Sequence, residues 1–142
     1  MKEAKGSMWK ASATHYCVTT NGIVKSNGDL VMGAGIALQA KNKHPHVPHW
    51  FGQHVLRRGN TPCAVRVAKD RYYVSFPTKH DYRDPSDLDL IIKSAKLIAA
   101  HVPKDAKVSM SRPGCGNGGL SWDIVKPAIS SILDDRFTVY SF

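Results

Sequence analysis

The segment SRPGCGNGGLSWD, residues 111–123, places four glycines and a proline in one short loop. Glycine loses more freedom on folding than any other residue, so such a concentration needs a structural or functional return. AKVSMS (106–111), which leads into it, predicts a strand, and WDIVKPAISSIL (122–133), which follows, predicts a helix with Pro127 in its early turns. Gly114, Gly116 and Gly119 match G-x-G-x-x-G between a strand and a helix, the context of a dinucleotide fingerprint. Only one helix and one strand fit between Gly119 and Phe142, however, too little for the second half of a Rossmann unit. No Lys-Ser/Thr follows the glycines, which excludes a Walker A loop. A glycine loop opening a helix still offers free backbone N–H groups to an anion. VMGAGIA (31–37) repeats the arrangement, so two such loops can grip the two phosphates of a diphosphate from opposite sides.

Working outward, HYCVTT (15–20) reads as a strand, and NGIVKSNGDLVMGAG (21–35), with two Asn-Gly pairs, as a turn-rich loop. IALQAKNK (36–43) predicts a short helix that stops near Pro45, and HVPHWFGQHVLRRGN (46–60) a second one stopped by Gly59. CAVRVA (63–68) and RYYVSF (71–76) are strands two residues apart, hence a tight hairpin, with Pro77 closing the ladder. In DPSDLDLIIKSAKLIAAHV (84–102), Leu88, Ile91, Ile92, Ala95, Ile98, Ala99 and Val102 recur at helical spacing, with Asp84 or Ser86 as the expected cap. RFTVYSF (136–142) reads as a closing strand. Strands alternating with helices, plus one hairpin, indicate an α/β domain with a mixed sheet.

The length of 142 residues suits one domain, and 42 % hydrophobic with 22 % charged residues is an ordinary globular balance. No apolar run approaches the roughly 20 residues of a membrane span, and the basic N-terminus lacks a signal-peptide core. The formal net charge of +9 favours anionic partners such as nucleic acid, nucleotides or phosphates. Cys17, Cys63 and Cys115 are odd in number and widely spaced, which argues for reduced thiols in a cytoplasmic setting and against a disulfide framework or a structural zinc site. His44, His46, His49 and His54 are close in sequence, but Pro45 and Pro48 break the helix that would aim them at one metal ion. Cys115, in a glycine loop before a helix, is a candidate nucleophile of lowered pKa, without an identifiable base. Trp50, Phe51, Tyr72, Tyr73 and Tyr82 interleave with arginines and lysines, a composition that suits single-stranded nucleic acid.

With these segments in view the chain resembles the macrodomains, specifically the branch of terminal ADP-ribose glycohydrolase and the DarG antitoxins that remove ADP-ribose from DNA. TTNG (19–22), VMGAGIALQAK (31–41), YYVSFPTKHDYRDPSDLDLI (72–91) and PGCGNGGLSWDIVKPAI (113–129) carry the resemblance, in family order. It implies a three-layer α/β/α macrodomain with a central mixed sheet, spanning residues 1–142 as a single domain. It assigns Asn21, Gly33, Ala34, Gly35 and Ile36 to one wall of an ADP-ribose pocket. Gly114, Cys115, Gly116, Asn117, Gly118, Gly119 and Leu120 would form the other, with Thr78 beside them. Lys79, at the lysine of the F-P-T-K motif, takes the catalytic position. A lysine amine becomes a nucleophile when desolvation or neighbouring cations lower its pKa. It would attack the anomeric carbon of the distal ribose, or its ring-opened aldehyde to give a Schiff-base-type adduct that water resolves, or else steady the leaving group by its charge.

Gly118 stands where the terminal glycohydrolase carries an aspartate and the DarG type carries glycine, which points to mono-ADP-ribosylated DNA. The first residues, MKEAKGSMWKAS, show no Gly-Asp or Gly-Asn strand, so the opening strand is expected to be shortened or atypical and no adenine contact is assigned. The resemblance implies a monomeric, antitoxin-like hydrolase with no metal or redox cofactor. The alternatives are a reader of ADP-ribose without hydrolysis, a hydrolase of protein-linked ADP-ribose or ADP-ribose 1″-phosphate, and a plain nucleic-acid-binding domain.

Overall fold

The computed structural model describes all 142 residues, Met1–Phe142. Six strands form one sheet: β1 (Lys2–Lys5), β2 (His15–Thr20), β3 (Ala64–Ala68), β4 (Arg71–Pro77), β5 (Val108–Ser111) and β6 (Phe137–Ser141). Their spatial order is β1-β6-β5-β2-β4-β3, and every neighbouring pair is parallel except the β3–β4 hairpin. Four helices complete the fold: α1 (Gly35–Lys43), α2 (Val47–Arg58), α3 (Leu88–His101) and α4 (Trp122–Ile129).

Alternation along the central strands builds a core on each face of the sheet. Tyr16, Val18 and Tyr73 point to one side, where they pack with Ala37 and Ala40 of α1 and Val47 and Phe51 of α2. Cys17, Val74 and Phe76 point to the other, against Ile91, Ala95 and Ile98 of α3 and Val125 and Ile129 of α4. Helices cover both faces, giving the three layers expected. Phe51, Phe76 and Phe137 are fully buried, and each contributes about 1.5–3 kcal/mol by leaving water.

The strand and helix assignments hold with local differences. Lys2–Lys5, read as lacking an ordinary strand, forms β1 as an edge strand beside β6, and the Gly6 N–H continues the pairing to Ser141 O at 2.8 Å. Its charged composition hid it; such residues suit a solvent-facing edge. Ser7 then caps a 3₁₀ turn, Met8–Lys10, that seats Met8 in the core. The cap of α3 is Asp87, not Asp84 or Ser86: its carboxylate accepts the N–H groups of Asp89 and Leu90. The buried stripe of α3 includes Leu90 and Ser94, which the periodicity passed over; Ser94 donates to Pro77 O at 2.7 Å and ties α3 to the end of β4. α4 ends at Ile129, where turns replace the expected last stretch to Leu133.

One buried group sets a pH dependence. His15 lies within β2 with its ring stacked on Tyr72 at 4.9 Å, and burial holds its pKa below the ordinary 6.5. The unfolded chain takes up this proton first, so stability falls as pH drops below about 6.5. Burial shifts His44 and His54 in the same direction. The melting temperature should therefore be lower at about pH 5.5 than at about pH 7.5, with His15→Gln flattening part of the slope. A melting temperature constant over that interval would contradict this.

Candidate functional site

The parallel strands β2, β4 and β5 end along the same edge of the sheet. The chain crosses from β4 over β2 to β5 through α3, so the strand order reverses there. Ligands of open α/β sheets bind at such a point, beyond the carboxyl ends of the strands. A cleft of about 510 Å³ occupies it. Thr20 and Asn21 reach it from β2, Thr78 and Lys79 from β4, and Ser111 and Arg112 from β5.

The two glycine loops form its walls. Gly33, Ala34, Gly35 and Ile36 line one side. Gly35 opens α1 at φ +56°, a conformation glycine adopts without strain. The N-cap residue is Ala34, which has no side chain to cap the helix, and the N–H groups of Gly35, Ile36 and Ala37 have no acceptor in the chain. The positive end of the α1 dipole is thus left for a ligand. Gly114, Gly116, Asn117 and Gly118 line the opposite side. This loop folds back through Leu120 N–H to Gly114 O at 2.9 Å, leaving the N–H groups of Gly116, Asn117 and Gly118 unpaired. The walls come close together: a Cβ on Gly35 would stand 3.4 Å from Asn117 Nδ2.

Lys79 lines the cleft and turns to the second of these loops, with Nζ 3.5 Å from the Asn117 carbonyl oxygen. Its backbone is pinned on every side. The Thr78 and Lys79 N–H groups both reach Thr20 O, at 3.0 and 3.4 Å, and Asn60 Nδ2 donates to Lys79 O at 2.9 Å. Asp87 N–H donates to Thr78 O at 2.9 Å, and the Asp87 carboxylate meets His80 Nε2 at 2.8 Å. The His80 contact, aided by the capping N–H groups, holds the Asp87 carboxyl below the usual carboxylate range. Asp87→Ala removes the α3 cap and this tie together. It should cost about 0.5–2 kcal/mol in urea denaturation; an unchanged midpoint would show the cap to be idle.

Asn21 is buried, and its amide serves the loop: Nδ2 donates to Val31 O and Oδ1 accepts from Ile23 N–H, both at 2.9 Å. Of the residues assigned to the pocket, Cys115, Gly119 and Leu120 do not line it. Cys115 and Leu120 pack against the core beneath the loop, and Gly119 lies on its outer side. Burial pushes the Cys115 thiol up, against the lowering read from its place before a helix, which removes the basis for a thiolate nucleophile. Cys17, Cys63 and Cys115 are all free thiols, and burial pushes Cys17 up to about 12. The histidines diverge: His49 turns to Asp29 at 3.3 Å and His54 to Thr61 at 2.8 Å.

Sequence reasoning missed Ser86, Gln39 and Arg112, which also line the cleft. Gln39 is held by the Trp9 indole N–H at 2.6 Å, and Arg112 lies over the Trp122 ring at 5.1 Å. Arg112 stood in the quoted loop as a signal; Ser86 and Gln39 gave none, because tertiary packing alone brings them here.

No family model matches the chain. A DNA ADP-ribosyl glycohydrolase of Thermus aquaticus is 32 % identical over 112 residues, covering 73 % of this chain and 31 % of that protein. The solved macrodomain of Thermus aquaticus DarG superposes with a TM-score of 0.78 at 26 % identity, covering 98 % of this chain and 95 % of that one. The chain is a macrodomain. A structure of Thermosipho africanus DarTG in complex with ADP-ribose shares the macrodomain fold, with a TM-score of 0.81 at 24 % identity over 97 % of this chain and 40 % of that one. The macrodomain spans about a third of the length of the DNA ADP-ribosyl glycohydrolases it matches. None of its helices is long and apolar enough to cross a membrane.

Proposed function

We propose that this macrodomain is an ADP-ribosyl glycohydrolase that removes ADP-ribose from DNA. The observation that carries the reading is the placement of Lys79 in a cleft walled by two loops of unpaired backbone N–H groups. Those N–H groups suit a diphosphate, and the amine lies within reach of a sugar held beside it. The neutral amine attacks the anomeric carbon of the distal ribose, and a C–N bond forms to Nζ. The bond to the nucleobase breaks, its electron pair leaves with the base, and the base takes the proton given up by the amine. Water then displaces the amine, yielding free ADP-ribose and regenerated Lys79. The loop amides stabilise charge as it shifts.

The net charge of +9 and Arg112 at the cleft favour a polyanion as the carrier of the modification. Glycine at 118, which leaves the second loop without a carboxylate, agrees with the DarG type. Exposed aromatic and cationic side chains suit single-stranded DNA, and the three free thiols suit a reducing, cytoplasmic compartment, with the protein acting as a monomer.

Incubation with an oligonucleotide carrying ADP-ribose on a base should release free ADP-ribose, at a rate that falls steeply as salt rises. Tight binding of ADP-ribose without release would make the protein a reader. Equal release from protein esters or ADP-ribose 1″-phosphate would remove DNA from the reading.

A further inference from the structure

The turn that follows Lys79 presents an aromatic ring to the same cleft. Tyr82 is 46 % exposed, lines the cleft, and is absent from both hydrophobic cores. The turn around it is nevertheless braced by local contacts. Asp81 clamps Arg83 through Nε at 2.9 Å and Nη2 at 2.6 Å, and also accepts the Arg83 backbone N–H at 2.9 Å. The guanidinium lies 5.4 Å from the centre of the Tyr82 ring, a cation–π contact that holds the ring from one side. The turn closes with Asp84 N–H on Asp81 O at 3.1 Å, and its base is anchored where Gly22 N–H meets His80 O, also at 3.1 Å.

Arg83 is consumed by this arrangement. The fork from Arg83 holds the Asp81 carboxyl at a pKa of about 2, so the ion pair persists at neutral pH and the arginine is not a free phosphate ligand. Its remaining effect is to brace Tyr82. A half-exposed ring with a cation on one side, three residues beyond the amine that marks the scissile bond, suits a flat leaving group.

We propose that Tyr82 is a stacking platform for the nucleobase that carries ADP-ribose, and so determines selectivity for base-linked over ester-linked substrate. This rests on the glycohydrolase reading above. Stacking of one base on an aromatic side chain corresponds to roughly ten- to a hundred-fold in affinity. The ring does its work through its π-face, so the phenolic hydroxyl is dispensable.

The test compares Tyr82→Ala, Tyr82→Phe and wild type on an oligonucleotide bearing ADP-ribose on a base, and on free ADP-ribose by calorimetry. Tyr82→Ala should lower kcat/KM on the oligonucleotide about ten-fold or more, mostly through KM. Its Kd for free ADP-ribose should move less than about two-fold, and Tyr82→Phe should match wild type on both. An equal loss of affinity for free ADP-ribose would place the ring against ADP-ribose itself and overturn the proposal. So would an unchanged kcat/KM in Tyr82→Ala. Wild type that releases nothing from the oligonucleotide would instead end the glycohydrolase reading, independently of Tyr82.

Discussion

Lys79→Ala should abolish release of ADP-ribose from the modified oligonucleotide, lowering kcat on the order of 10³-fold or more, while free ADP-ribose still binds within about three-fold of wild type. The asymmetry follows from the division of labour in the cleft. The diphosphate is addressed by backbone N–H groups of the two loops, which the substitution leaves intact. The Lys79 side chain makes a single long contact, 3.5 Å to Asn117 O, so stability should barely change. Lys79→Arg separates the two chemical roles. Arginine keeps the charge but is not a nucleophile, so it stays inactive if the amine forms a bond and recovers activity if charge alone suffices. Full hydrolysis by Lys79→Ala, measured by release of free ADP-ribose, would remove the residue from the mechanism.

Gly118→Ala should damage both the fold and the site. A Cβ at this position runs into Ser86 Oγ and stands 2.5 Å from Gly114 O. The serine can rotate, but the carbonyl belongs to the backbone of the same loop and accepts the Leu120 N–H. Relief requires the loop to open, breaking that bond and the one from Ser86 N–H to Gly118 O at 2.9 Å. We expect a loss of about 1–3 kcal/mol by denaturant titration, as for other overpacked sites, with at least a ten-fold loss of ADP-ribose affinity. Gly33→Ala is the control, since a Cβ there meets no atom of the chain within 4 Å and the fold should be unaffected. If Gly118→Ala binds and melts like wild type, the loop is softer than its packing indicates. The same crowding gives a physical reason for the missing carboxylate: an aspartate at 118 has no room while Ser86 sits beneath it.

The glycines of the second loop therefore have more than one cause. The sequence suggested that bare backbone was needed so that a phosphate could approach. That account fits Gly116, where a side chain would meet nothing in the chain. It does not fit Gly114 or Gly118, whose missing side chains make room for Ile91 and Ser86 of this protein. Local sequence cannot separate the two cases, because Ile91 and Ser86 come from a distant segment of the chain.

What the sequence determined by itself is what local forces decide. Runs of β-branched and aromatic residues made β2, β4 and β6, helical periodicity made α3, and glycine before a helix made two anion-seeking loops. These patterns, in their order, were enough for the α/β class; the resemblance to macrodomains rested on the particular motifs VMGAGIALQAK (31–41), FPTK (76–79) and PGCGNGGLSWD (113–123). Only the tertiary structure decided that β2, β4 and β5 end side by side, that Lys79 turns to Asn117, and that Ser86 and Gln39 join the cleft while Cys115 and Leu120 turn into the core. The reason is that a strand or a helix is selected by neighbours a few residues away, whereas a cleft is made where segments far apart in sequence are packed on the two faces of one sheet.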